Sequence, residues 1–147
     1  MAEAPIIDFH FNVDHGVGYA CRVLRKARGA RKTALVFSRD EARLARLDQA
    51  LWTFSALDFL PHARWPSPLA ARTPIWLSPR PADEERDLLV LLDDEPAPQF
   101  QAWFPRFGRI IDIVSTDERD MSLARVRFKA YRDAGFAPVA HEIGATY

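Results

Sequence analysis

From Ile6 to Phe11 apolar and polar positions alternate around a short hydrophobic run, the pattern of a first strand. Gly16 and Gly18 then mark a turn. Tyr19 to Ala27 follows at helical spacing and stops near Gly29. Thr33 to Phe37 is β-branched and apolar, a buried strand. Ser38 with Glu41 three residues on forms a capping-box pattern, and Leu44, Leu47 and Leu51 share one face, so a helix is predicted over Arg39 to Trp52. Six prolines between Pro61 and Pro81 leave room for one short strand, Ile75 to Leu77. Leu88 to Leu92 is another buried strand, and Phe100 to Phe107 a short helix limited by Pro105. Ile110 to Val114 reads as the last strand, and Asp117 to Ala134 as a last helix ended by Gly135.

Strands that alternate with helices predict an α/β fold: one three-layer domain, a mainly parallel sheet with helices on both faces. Its core is expected over roughly 5–137, with a C-terminal tail over 138–147, all within one domain spanning 1–147.

Composition narrows the function. The 147 residues carry 48% hydrophobic side chains, enough for a core. Twenty basic residues balance twenty acidic ones, which argues against a general nucleic-acid binder. Arginine outnumbers lysine seventeen to three, a bias that GC-rich codons produce without any functional demand. One cysteine, Cys21, excludes an internal disulfide framework and fits a reducing compartment. No apolar run is long enough to cross a membrane and no leader pattern precedes the first strand, so a cytoplasmic protein is expected.

Candidate chemistry is sparse. His15-Gly16-Val17-Gly18 between strand and helix has two glycines of the dinucleotide fingerprint, but Cys21 stands at the third glycine position. Asp8 and His10 share one side of the first strand, with Asp14 and His15 close behind, a spacing some metallohydrolases use. His62 and His141 bring no second ligand pair. A small metal-dependent hydrolase or a nucleotide-binding domain built on Asp8, His10, Asp14, Gly16 and Gly18 is therefore the alternative reading. No nucleophile motif appears, and no catalytic residue, cofactor or metal is assigned.

Two features are stronger. Trp52, Phe54, Phe59 and Trp65 cluster with Leu57, Leu60 and Pro61 between them. Leu47, Leu51 and Trp52 are the best core candidates there, and the remaining rings suit a partner interface. The last helix has an acidic first turn and then four basic residues without an acid from Met121 to Arg132. At about 100° per residue Arg125, Lys129 and Arg132 fall within an arc of ~60°, with Phe128 some ~40° beyond. Leu123, Val126, Ala130 and Ala134 form the opposite, core-facing stripe, with Arg127 at its edge. Cations beside an aromatic suit a ligand that is both anionic and apolar.

The segments Arg46-Leu47-Asp48-Gln49-Ala50-Leu51-Trp52, Phe59-Leu60-Pro61-His62 and Arg127-Phe128-Lys129-Ala130-Tyr131-Arg132-Asp133-Ala134-Gly135-Phe136 resemble the chi subunit of bacterial DNA polymerase III. The resemblance implies a non-catalytic clamp-loader accessory subunit, with a fold similar to nucleotide-binding folds but lacking their phosphate motif. It implies two partners, the psi subunit and the acidic C-terminal tail of single-stranded DNA-binding protein, which ends in proline-phenylalanine. DNA would be reached only indirectly. By motif position Trp52, Phe59, Leu60 and Pro61 would face psi. Val114, Arg125, Phe128, Lys129, Tyr131, Arg132 and Gly135 would form the tail site, with Phe128 and Val114 as walls for the terminal ring. Phe128 stands where a tyrosine also occurs in the family.

Overall fold

A computed structural model describes residues 5–54 and 60–144. Seven strands form one sheet: β1 (Ile6–Val13), β2 (Ala34–Phe37), β3 (His62–Arg64), β4 (Ile75–Ser78), β5 (Arg86–Leu91), β6 (Phe107–Ser115) and β7 (Ala137–Glu142). Their order is β3-β4-β2-β5-β6-β1-β7, and every pairing is parallel. Four helices accompany them: α1 (Gly16–Gly29), α2 (Glu41–Thr53), the single turn α3 (Phe100–Trp103) and α4 (Glu118–Asp133). Short 3₁₀ turns occupy Ala70–Arg72 and Phe104–Arg106.

The side-chain period of two sorts each inner strand onto two cores. Leu35, Phe37, Leu89, Leu91, Ile110 and Val114 pack with α3 and α4. Ala34, Val36, Leu88, Val90, Ile111 and Ile113 pack with α1 and α2. Both faces are covered, so the central strands read as continuous apolar runs rather than alternating ones. This is the predicted α/β arrangement.

The sequence pattern misplaced several details. Ser38 is not the cap of α2: it is buried, and its hydroxyl accepts the Asp40 N–H at 3.1 Å. The Asp40 carboxylate accepts the Arg43 N–H at 3.1 Å and is the true cap. Glu41 turns outward to Arg64 at 2.6 Å. β3 was hidden among prolines, and β7 stands where a tail was expected. Residues 137–142 pair with Ile6 to Phe11, most of the length of β1. That strand is mostly exposed, as an edge strand is, and its small residues and proline leave little hydrophobic signal.

The largest correction concerns the rotation of α4. Its buried residues are Ala124, Arg127 and Tyr131, while Val126 is 59% exposed and Ala134 is exposed. The stripe of Leu123, Val126, Ala130 and Ala134 therefore does not face the core. Arg127 does, because β6 carries a buried carboxylate beneath it. Arg127 Nε and Nη2 donate to the two oxygens of Asp112 at 3.0 and 2.9 Å, and Nη1 donates to the Asp94 carbonyl at 2.8 Å. Both side chains are 1% exposed. Burial pushes the Asp112 carboxyl up to about 6, against the opposing pull of Arg127.

Removing one member of a buried pair strands the other charge and costs about 3–5 kcal/mol. Arg127→Met is expected to lose that much stability in urea unfolding, and Arg127→Met/Asp112→Leu to recover most of it. Asp112 already titrates at about 6 beside Arg127, above its unfolded value, and without that opposing pull it titrates higher still in the single variant. The variant therefore takes up its proton first, and its deficit shrinks as pH falls through neutrality toward about 6 and stays level below, where the wild-type carboxyl is protonated too. A deficit that grows over that window contradicts the assignment.

Candidate functional site

α4 begins at Asp117, whose carboxylate accepts the Arg119 N–H at 2.7 Å. It ends in a Schellman arrangement: Gly135 N–H donates to the Arg132 carbonyl at 3.0 Å and Phe136 N–H to the Tyr131 carbonyl at 3.1 Å. Gly135 has φ +98°, a conformation that side chains with a Cβ rarely adopt. With Arg127 turned inward, helical geometry turns Arg125, Lys129 and Arg132 outward, and all three are exposed. Lys129 Nζ and Arg132 Nε each lie 3.8 Å from Asp133, one carboxylate between two exposed cations. Such surface pairs are weak and leave the edge positive.

The expected tail-site residues separate into two layers. Arg125, Lys129, Arg132 and Gly135 are at the surface. Phe128 is half-buried, its ring 5.2 Å from that of Phe9. Val114 and Tyr131 belong to the core, at 2% and 1% exposure. Tyr131 is tied there by the Ala97 N–H, which donates to its hydroxyl at 3.1 Å, and burial pushes its phenol well above the ordinary range. Those two side chains support the helix from below and cannot wall a surface pocket.

The second expected surface lies at the end of α2. Trp52, a core candidate by composition and partner-facing by motif position, is 57% exposed. Its ring meets the edge of His62 at 5.0 Å, and His62 is fixed by the Asp48 carboxylate at 3.0 Å and the Leu60 carbonyl at 2.8 Å. Leu60 is buried at 2% and so offers no side chain to a partner; Pro61 is half-buried. Phe59 lies outside the described residues.

The alternative chemistry meets physical obstacles. A cavity of about 610 Å³ lies where the C-terminal ends of β1, β5 and β6 diverge, the position at which α/β sheets take nucleotides. Its lining carries five aspartates against Arg43, Arg46 and Arg119. One helix amide that a phosphate would need is engaged: Gly18 N–H donates to His15 Nδ1 at 2.9 Å, and a Cβ on Gly18 would sit 3.1 Å from that nitrogen. Gly18 is thus explained by the cap. Asp8 and His10 do share a side, but Asp8 is held by His141 at 2.8 Å and Arg109 at 3.2 Å, while His10 Nδ1 meets the Tyr19 hydroxyl at 2.6 Å. Among the described residues no group of three metal-ligating side chains converges, and no helix is long and apolar enough to cross a membrane.

Sequence reasoning missed the Asp112–Arg127 pair. Its signal was an aspartate inside the apolar run Ile110-Ile111-Asp112-Ile113-Val114. It also missed His141, which joins the β1 cluster through the unrecognised β7.

The chain matches the family model for "DNA polymerase III chi subunit, HolC" over residues 5–139. It is similar to the DNA polymerase III subunit chi of Pseudomonas aeruginosa, 32% identical over 124 residues and 84% of each chain. The Escherichia coli K12 subunit is 31% identical over 119 residues, 79% of this chain and 78% of that one. The Haemophilus influenzae subunit is 29% identical over 131 residues, 85% of each.

Burial depresses the His10 imidazole to about 4, with the neighbouring Asp8 acting the other way. A histidine kept neutral in the fold but free to protonate once unfolded removes stability as pH falls from about 6.5 to about 4. Thermal melts of wild type and His10→Phe across that window should show a shallower acid loss in the variant. Parallel curves would place the acid sensitivity elsewhere.

Proposed function

The chain belongs to the DNA polymerase III chi subunit family, and on that premise we propose that it joins two protein partners within the replicative polymerase assembly. Family membership makes it an accessory subunit in DNA replication. The finer reading is that the end of α2 docks the psi subunit and the outer edge of α4 holds the acidic C-terminal tail of single-stranded DNA-binding protein. The observation that carries the tail site is the α4 edge itself: three exposed cations in one arc beside the half-buried ring of Phe128.

A tail ending in phenylalanine offers one ring and one carboxylate, with acidic residues upstream. Lys129, a compact charge on a flexible stem, suits the terminal carboxylate. Arg125 and Arg132 attract the upstream acids, and Gly135 keeps the helix end free of a side chain. The ring rests against the open side of Phe128, while Val114 and Tyr131 stiffen the floor. On the other surface, Trp52 is the aromatic anchor for psi, and by motif position Pro61 and Phe59 belong to the same partner reading. Exposed tryptophan held by a fixed histidine is the residue class that dominates interface energetics. The protein does no chemistry in this reading: it tethers.

Calorimetry of a tail peptide should show Lys129→Ala losing about 1–3 kcal/mol, the range for a charge-assisted hydrogen bond, and more than Arg132→Ala. The flanking arginines make binding weaken as salt rises past physiological strength. Unchanged affinity in Lys129→Ala, or binding insensitive to salt, contradicts the tail site. Trp52→Ala should keep its fold and lose about 2 kcal/mol or more of psi binding; copurification with psi at wild-type strength contradicts the psi surface.

A further inference from the structure

The balanced net charge conceals a segregation. No acidic residue stands between Asp14 and Asp40, and residues 22–32 hold six cations: Arg22, Arg25, Lys26, Arg28, Arg31 and Lys32. All are exposed, on α1 and the turn that follows it. Two of the chain's three lysines, Lys26 and Lys32, stand at a cavity of about 470 Å³ between α1 and the starts of β5 and β6. Val23, Ala27, Leu88 and Ile111 give that cavity apolar walls, the His10 and Tyr19 rings close one side, and Arg109 adds a third cation. Its carboxylate, Asp87, is engaged with the Thr33 N–H at 2.8 Å and the Thr33 hydroxyl at 3.1 Å.

This cavity lies on the face of the sheet opposite α4 and at the strand ends opposite the larger, acidic crevice. It is therefore separate from the tail site. An apolar slot of this size suits a planar ring, and the cations around it suit an anion repeated along a chain. We propose that the α1 cations and this cavity form a binding site for single-stranded nucleic acid, the lysines and arginines meeting consecutive phosphates and one base entering the slot. An acidic peptide without an aromatic residue would satisfy the cations and leave the slot empty, whereas every nucleotide of a single strand carries a planar base beside its phosphate. Lys26, Lys32 and Arg109, the cations that line the cavity, carry the phosphate contacts in this reading. A single-stranded ligand releases about 0.7 counterion per phosphate neutralised, so three contacts give a slope of about −2 in log K against log salt. Base insertion between apolar walls adds a part that salt does not screen.

The test is fluorescence anisotropy of a labelled oligothymidylate with the full chain, at low and at physiological salt. Lys26 and Lys32 are exposed, so Lys26→Glu/Lys32→Glu addresses charge rather than folding, and circular dichroism checks that it folds. Expected are binding at low salt, a slope of about −2, and at least a ~10-fold loss in the double variant. An abasic strand of equal length, which needs no substitution, should bind several-fold more weakly. Lys129→Ala should bind the oligonucleotide as wild type does, which separates this site from the tail site. Absence of binding at low salt, wild-type affinity in the double variant, equal affinity for the abasic strand, or equal competition by a polyglutamate of the same charge would each overturn the proposal.

Discussion

Everything this molecule presents on its α4 side depends on one buried ion pair, Asp112 with Arg127. A carboxylate in the middle of an apolar strand must find a cation or lose its charge, and the helix that crosses β6 supplies one with two parallel hydrogen bonds. That requirement fixes the rotation of α4 about its axis. It turns Tyr131 into the aromatic core beside Phe100 and Phe104 and leaves Arg125, Lys129 and Arg132 together at the surface. The third bond of Arg127, to the Asp94 carbonyl, fastens the same helix to the loop that leaves β5. A structural interaction thus decides which face is available for binding.

The rest of the fold follows more ordinary rules. Strands buried on both faces became continuous apolar runs, and Thr33–Phe37, Leu88–Leu92 and Ile110–Val114 were legible on that account. α2 was legible because Leu44, Leu47 and Leu51 face the core. β3 and β7 were not: three residues among prolines and six mostly exposed residues at an edge bury too little to leave a hydrophobic signature. Composition alone made Trp52 a core candidate for a similar reason, since large apolar residues near a helix end are counted as core whether or not anything covers them; its motif position had it facing a partner, and it is exposed.

The site was partly legible. The outward cation edge of α4 could be read from helical spacing, but the core-facing stripe was assigned wrongly, because apolar counting cannot recognise that an arginine is the buried residue. Leu123 and Val126 consequently stand outside the core, and Val114, Leu60 and Tyr131, expected at binding surfaces, lie beneath them. The motifs that point to the family nonetheless include these buried residues. A motif records whatever the fold needs at those positions, support as well as contact, and only burial separates the two.

The phase of α4, set by Asp112 and Arg127, determines which residues of that helix face outward and are available to the proposed tail of single-stranded DNA-binding protein. Titrating an unlabelled tail peptide into the isotope-labelled full chain and following amide and side-chain resonances by NMR tests this directly. The account predicts that the shifts concentrate at Arg125, Phe128, Lys129, Arg132 and Gly135 and spare Leu123, Val126 and Ala130. Shifts centred on Leu123 and Val126, or confined to the end of α2, would contradict it.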